Sequence, residues 1–332
     1  MHTRTNKTLR DLTLASRLVI LLIGTVASGG CSHEPRLQRF HYAQIKMGVQ
    51  VGLAVYAPDQ PTAETACRAA FQRVEALENL MSDYRKDSEL LRLGARAGGP
   101  AVQVSPELFF VLQKAQTLSR QTDGAFDVTV GPEIQLWRRA RKNGQLPGRE
   151  ELEGARALTG WRMMRLSGAD RTVRLEKPGM RLDLGGIAKG YAGDEAIRVL
   201  AGHGIKSALF EAGGDIVVSD PPPQARGWTI AIENANGAPE KLVLHNCAIS
   251  TSGDTVQFVE IGGNRYSHVV DPRTGQALTN HYAATVVAPR GIDTDALSTA
   301  LTVMGPEGMK LLPRYQAHGW LRKVEPARPI SE

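Results

Sequence analysis

The sequence predicts an α+β fold, with mixed sheets and flanking helices. Three observations carry this prediction. Apolar residues recur at helical spacing at Phe71, Val74, Leu77 and Met81, and again at Leu108, Val111, Leu112, Ala115 and Leu118. Short strand-like runs separated by turn residues crowd the second half of the chain. The two patterns mix without the strict alternation of a doubly wound parallel sheet. With 332 residues, 42% of them hydrophobic, the chain can build one large domain or two intimate subdomains.

The first element is an export signal. A basic stretch ending at Arg17 precedes the apolar run Leu18 to Ile23, and small residues follow to Gly30. The apolar part is too short for a permanent span, which needs about 20 residues. Residues 1–30 therefore read as a signal peptide. Cys31, directly after the small residues, fits a lipoprotein cleavage site at which it becomes the lipid-bearing N-terminus. Plain cleavage nearby with Cys31 unmodified is the alternative. The expectation is an exported protein on the periplasmic side, held to a membrane by lipid, with the inner membrane favoured. Residues 31–46 read as a tether.

The mature elements follow in order. Lys46 to Tyr56 predicts a strand and Thr62 to Met81 a helix. Ser105-Pro106 is a helix start. Residues 139–155 are polar and read as a surface excursion. Leu182 opens a strand, a glycine turn follows, and a helix runs from about Ala188 to Ala201, stopping at Gly202 or Gly204. Strands are expected at Ser207–Phe210, Trp228–Glu233, Lys241–Leu244, Ala248–Ser250, Tyr266–Val270 and Ala284–Ala288, and a last helix at Asp293–Met304.

Charge excludes one class of function. Residues 1–30 hold four of the 40 Lys and Arg and one of the 34 Asp and Glu, leaving 36 against 33 in the remainder. That near balance, with no recognition motif, argues against nucleic-acid binding. The cluster Arg138-Arg139-Ala140-Arg141-Lys142 reads as a solvated helix face. Beyond Cys31 only Cys67 and Cys247 remain. They read as two buried free thiols, in a helix and a strand respectively, and their spacing suggests no zinc site.

The densest chemistry lies at Leu182-Asp183-Leu184-Gly185-Gly186-Ile187-Ala188-Lys189-Gly190-Tyr191. A carboxylate, two glycines and a lysine share a turn into a helix. Glycine allows a ligand close to the backbone, and amides at a helix start beside a lysine suit an anion. Asp295 and Thr299 stand four apart, on one helix face. Two such oxygens suit Mg²⁺. Equally, an Asp there caps the helix and the Thr bonds back to a carbonyl, and spacing alone favours that reading. His268 sits at the end of a strand before Asp271-Pro272 and Thr274-Gly275 turn signals, where it suits a general base or a structural role. Thr251-Ser252-Gly253-Asp254 is a further polar loop. Several such loops in one chain look like the parts of a cleft.

Taken in order, eight segments resemble the ApbE family, the FAD:protein FMN transferases. They are MGVQV (47–51), SDYRKDSELLRL (82–93), TDGAFDVTVGP (122–132), LDLGGIAKGYAGDEA (182–196), EAGGDI (211–216), STSGD (250–254), YSHVVDPRTG (266–275) and DTDALSTAL (293–301). The resemblance implies a flavin transferase domain over about 47–325, with the flavin site in the cleft between two subdomains. It implies FAD as substrate, Mg²⁺ as cofactor, and transfer of FMN to a Thr or Ser hydroxyl of an acceptor protein, expected to be a membrane redox subunit, with AMP leaving. It places the metal on Asp295, Thr299 and the backbone carbonyl of Gly186. It places FAD on Met47, Tyr84, Ala125, Phe126, Asp127, Asp183, Lys189 and His268, with His268 also the proposed base and Asp295 the second catalytic residue. Val49 and Gly94 depart from the family pattern, which often has Thr and Asn there. Two rivals share the same residues: a Mg²⁺-dependent FAD pyrophosphatase, and an exported flavin carrier without turnover.

Overall fold

The computed structural model describes residues 36–253 and 258–324. The signal segment, Cys31 and Asp254 lie outside the described residues. No described helix is long and apolar enough to cross a membrane.

The chain opens with β1 (Gln38–Lys46) and β2 (Val49–Ala57), then α1 (Gln60–Met81), α2 (Glu89–Ala95), β3 (Val102–Gln103) and α3 (Pro106–Gln121). Next come α4 (Gly131–Asn143), α5 (Arg149–Arg156), β4 (Met164–Ser167), β5 (Thr172–Leu175) and α6 (Ala188–Gly202). The second half holds β6 (Ala208–Ala212), β7 (Asp215–Val218), β8 (Trp228–Glu233), β9 (Pro239–Leu244), β10 (Cys247–Ser252), β11 (Phe258–Ile261) and β12 (Asn264–Ser267). It closes with β13 (Val270–Asp271), β14 (Gln276–Ala277), β15 (Tyr282–Ala288), α7 (Gly291–Met304) and β16 (His318–Lys323).

One seven-stranded sheet, in the order β1-β2-β6-β7-β10-β15-β16, organises this α+β fold. Every pairing in it is antiparallel. Side chains alternate across it. On one face Leu53, Val55, Phe210 and Val286 meet α1, α6 and α7 in the main core. On the other, Ala54, Val218 and Ile249 are covered by Trp228 and Ile230 of the β8–β9 hairpin.

The helices start where their local chemistry dictates. The Asp59 side chain accepts the Thr62 N–H at 2.8 Å and caps α1. Ser105 does the same for α3, with Pro106 in its first turn. α6 and α7 have no side-chain cap of their own at the first position. Instead Asp194 of α6 accepts the N–H groups of Gly291 (2.6 Å) and Ile292 (3.1 Å), which ties the start of α7 to α6. Burial pushes the Asp194 carboxyl up to about 6, against those two bonds. The helices touch at Gly190, where an added Cβ would lie 2.0 Å from the Gly291 carbonyl oxygen and 2.8 Å from Asp295 Cβ. Gly190→Ala should therefore cost about 3 kcal/mol, the upper end of overpacking. A denaturant titration checks this, and an unchanged midpoint would contradict the close approach.

Several expectations are corrected. The segment expected as a tether is largely β1, paired with β2 over its whole length. The strand expected from Lys46 to Tyr56 is broken at Met47 and Gly48, whose φ angles of 53° and 74° make a two-residue hairpin turn. Leu182 to Leu184 join no strand; the backbone there is held by a bridge between Val130 and Arg181 and by the Asp183 N–H donating to the Val128 carbonyl at 2.8 Å. Tyr266–Val270 is interrupted, and His268 stands in a bend between β12 and β13. Residues 139–155 hold the end of α4 and most of α5. Cys67 is buried, with its thiol pushed up to about 12 by desolvation, whereas Cys247 at the start of β10 is only partly buried.

Candidate active site

A cavity of about 1190 Å³ opens where the ends of the main sheet and the first turn of α6 face the segment from Ala125 to Lys142. Every residue that the resemblance assigns to the metal, to FAD or to catalysis borders it. Met47 comes from the β1–β2 turn, Tyr84 from the loop after α1, and Ala125, Phe126 and Asp127 from the loop before α4. Asp183 and Gly186 come from the loop before α6, Lys189 from its first turn, His268 from the β12–β13 bend, and Asp295 and Thr299 from α7.

The electrostatic centre is Lys189. Its Nζ donates to the Gly185 carbonyl at 3.0 Å and pairs with Asp215 Oδ2 at 3.0 Å and Asp295 Oδ1 at 3.8 Å. Burial opposes its charge, but Asp215 and Asp295 together hold Lys189 above the ordinary lysine value. Asp295 Oδ2 accepts the Gly190 N–H at 3.0 Å. Burial first, and then Asp215, push the Asp295 carboxyl up to about 7, although Lys189 pulls it down. Two buried carboxylates thus share one lysine, and the cluster is short of positive charge.

That shortage leaves the cluster able to take up a cation. Among the described residues no group of three or more His, Cys, Asp and Glu side chains is placed to hold a metal. Asp295 and Thr299 nevertheless lie on one face of α7, and Thr299 Oγ1 is 2.9 Å from where a Gly186 Cβ would stand. Any side chain at 186 would push into Thr299. The donors are carboxylate, hydroxyl and backbone carbonyl oxygens, the set that a hard cation such as Mg²⁺ prefers while keeping waters and ligand phosphates in its shell. The residues present fit Mg²⁺.

A second charged group lies nearby. Asp183 Oδ1 accepts the Gly185 N–H at 2.8 Å, and Oδ2 accepts from Arg138 at 2.8 Å. Arg138 also bridges to Asp83. Burial, then Asp83, raise the Asp183 carboxyl above its usual range in spite of Arg138. The face read as solvated is therefore turned in part to the cavity: Arg138, Arg141 and Lys142 border it. Their spacing of three and four residues places them on one side of α4.

The remaining candidates divide by exposure. Tyr84 is 55% exposed at the mouth, with its hydroxyl donating to Glu78 at 3.2 Å, so its ring has a free face for a flat ligand. Phe126 is buried and forms wall rather than platform. Asp127 borders the cavity, but its carboxylate is used on its own loop. Oδ1 accepts the Thr129 N–H and hydroxyl, and Oδ2 accepts the Trp161 N–H at 2.6 Å. Met47 sits on the rim at positive φ, an unusual conformation for a non-glycine residue. Val49 packs on Gly213 and also borders the cavity, whereas Gly94 lies in α2 away from it.

Asp215 and Glu133 escaped the sequence reading. The signal for Asp215 was the EAGGDI segment itself: Gly213 and Gly214, both at positive φ, form the β6–β7 turn, and Asp215 follows directly. Glu133 left no signal. It is fully buried in the first turn of α4, and neither carboxyl oxygen has a hydrogen-bond partner among the described residues. Burial, and then Asp127, push it up to about 8 from an ordinary 4.5. Folding thus takes up a proton between about pH 4.5 and 8, so this group's contribution is highest below about 4.5 and is lost as pH rises to about 8. Glu133→Gln should flatten the pH dependence of the melting temperature across that window and raise stability at pH 8 by on the order of 1–3 kcal/mol. Parallel melts at pH 5 and pH 8 check both.

A large cleft with buried carboxylates, a paired lysine and glycine-lined backbone, set on an antiparallel α+β frame, defines an enzyme that handles a large phosphorylated ligand. The family model described as the ApbE family matches residues 47–319. The chain belongs to the ApbE family. It is 33% identical over 310 residues to the FAD:protein FMN transferase of Treponema pallidum, covering 87% of this chain and 84% of that protein. The enzyme of the same name from Vibrio cholerae is 32% identical, covering 87% and 88%. Among solved structures, the flavin transferase ApbE from Vibrio cholerae superposes with a TM-score of 0.77 at 32% identity, covering 86% of this chain and 93% of that one. The apo flavinyl transferase ApbE of Pseudomonas stutzeri also gives 0.77, at 30% identity, covering 88% and 93%.

Proposed function

We propose that this flavin transferase moves the FMN part of FAD to a Thr or Ser hydroxyl of an acceptor protein, releasing AMP, with Mg²⁺ required. Flavin transfer to protein follows from membership of the family and the names of its relatives. The observation that carries the finer reading is the convergence of eleven candidate residues from seven separate parts of the chain on one cavity. At about 1190 Å³ it exceeds the usual small-molecule site of about 300–1,000 Å³, as a dinucleotide substrate requires.

The reaction breaks the bond between the FMN phosphorus and the bridging oxygen of the pyrophosphate. It forms a bond from that phosphorus to the acceptor oxygen, and AMP carries away the bridging oxygen. Such a transfer needs alignment and neutralised charge more than a covalent intermediate. Mg²⁺, held by Asp295, Thr299 and the Gly186 carbonyl, would supply positive charge for the pyrophosphate oxygens. Lys189 adds a fixed cation at the start of α6. Tyr84 offers its exposed ring to the flavin or the adenine. His268 takes the proton of the acceptor hydroxyl.

The test incubates the chain with FAD, Mg²⁺ and a flavinylatable acceptor domain. Flavin fluorescence that stays with the acceptor on a denaturing gel, with AMP in solution, is the expected result. Free FMN with AMP and a dark acceptor would mean that water is the acceptor, as in a pyrophosphatase. FAD bound without either product would mean a carrier.

The segment before Arg36 supports export and lipidation at Cys31 by its basic stretch, short apolar run and small residues. Radiolabelled palmitate incorporated into the whole chain, and lost in Cys31→Ala, is the expected outcome.

A further inference from the structure

β1 leaves one long edge of the main sheet unpaired among the described residues, and that edge runs into the mouth of the cavity. Lys46 and Val49 close the two-residue turn and so form a hydrogen-bonded pair. Pairs then alternate along an antiparallel ladder. Gln44, Tyr42, Phe40 and Gln38 therefore turn their N–H and C=O groups toward β2. Ile45, Ala43, His41 and Arg39 turn theirs outward.

The opposite edge differs. On β16, Trp320 Nε1 donates to the Glu233 carbonyl at 3.2 Å and Arg322 pairs with the Glu233 carboxylate, so the end of β8 is fastened against it. Nothing among the described residues covers β1 in this way. Six of its nine residues are exposed and none is buried, and Ile45 is 73% exposed.

A long, regular edge is a template for another chain, and proteins commonly blunt such edges with proline, bulges or a cover. β1 contains no proline, and its register with β2 runs unbroken from Gln38 to Lys46. Met47, two residues beyond Ile45, is already on the cavity rim. A chain paired with β1 is thus about 7 Å from the mouth at a rise of about 3.3 Å per residue.

We propose that β1 is the docking strand for the acceptor: an extended segment of the acceptor protein pairs along Arg39 to Ile45 and delivers its Ser or Thr hydroxyl to the mouth at Met47. The inference rests on the transferase reading above, because only transfer to a protein needs a polypeptide at this rim. Backbone bonds supply the affinity, and alternate side chains supply selectivity. The segment beside the acceptor hydroxyl is accordingly extended, with an apolar residue packed on Ile45.

The test uses the full chain with a flavinylatable acceptor domain. Ala43→Pro removes one outward N–H at an edge position that tolerates proline. Ile45→Lys keeps every backbone group and, at an exposed site, spares the fold. Both should raise KM for the acceptor about tenfold or more, leaving FAD affinity and kcat at saturating acceptor unchanged. Hydrogen exchange should show the amides of Arg39, His41, Ala43 and Ile45 unprotected alone and protected with acceptor. Wild-type KM in both variants would overturn the proposal. So would amides already protected without acceptor, which would place the chain's own leader or a second copy on this edge. A wild-type chain that flavinylates nothing would instead overturn the transferase reading, and the docking role with it.

Discussion

Replacing Asp295 with alanine should lower turnover by about 10²–10³-fold and abolish its dependence on Mg²⁺ at the same time. The size follows from losing several kcal/mol of charge stabilisation at the transferring group. The two effects are tied because Asp295 is the one carboxylate among the proposed metal ligands. Its burial and its neighbour Asp215 already hold its carboxyl up to about 7, so the ionised form awaits positive charge that Lys189 supplies incompletely from 3.8 Å. The fold should survive, since relief of a poorly compensated buried charge offsets the loss of the Gly190 N–H bond. Circular dichroism and a melt confirm that, and a Mg²⁺ titration of AMP release measures the rest. A variant that keeps Mg²⁺-dependent turnover would remove Asp295 from the metal site.

His268→Ala should slow flavin transfer by about 10²–10⁴-fold, the usual worth of a positioned general base, while FAD binds as before. The bend between β12 and β13 brings His268 to the cavity without committing its backbone to a sheet ladder. Single-turnover transfer to acceptor measures the loss, and flavin fluorescence quenching measures FAD affinity. Loss of FAD binding with transfer otherwise intact at saturating FAD would make His268 a ligand contact rather than a base.

Much of this architecture is legible in the sequence because it is local. α1 and α3 announce themselves through apolar spacing, α3 also through Ser105-Pro106, α6 through the glycine turn before it and the glycines that stop it, and the strands after Gly204 through short apolar runs between turns. The misreadings are also physical. β1 looks like a tether because it lies on an edge with no fully buried residue, so only Phe40 and Tyr42 mark its inward face. Tyr266–Val270 looks like one strand because Tyr266, Val269 and Val270 favour strands, whereas pairing breaks it at His268. Leu182 and Leu184 are apolar because they are core, not because they sit in a strand.

The site divides the same way. The residues bordering the cavity were visible as ordered segments with distinctive chemistry. Their relations were not. Gly190 and Asp295 meet across 105 residues of sequence, and Arg138 reaches Asp183 across 45. The basic cluster on α4 looked solvated because charge alone does not say what a helix face meets. The sequence by itself determined the α+β class, the order of the main helices and the residue types that meet at the cleft. Only the tertiary structure decided that Asp215 shares Lys189 with Asp295, that the Glu133 carboxyl is buried with no hydrogen-bond partner among the described residues and that β1 offers its edge at the rim. Propensity and spacing act over a few residues, whereas ion pairing, desolvation and edge exposure depend on which distant segments are folded against one another.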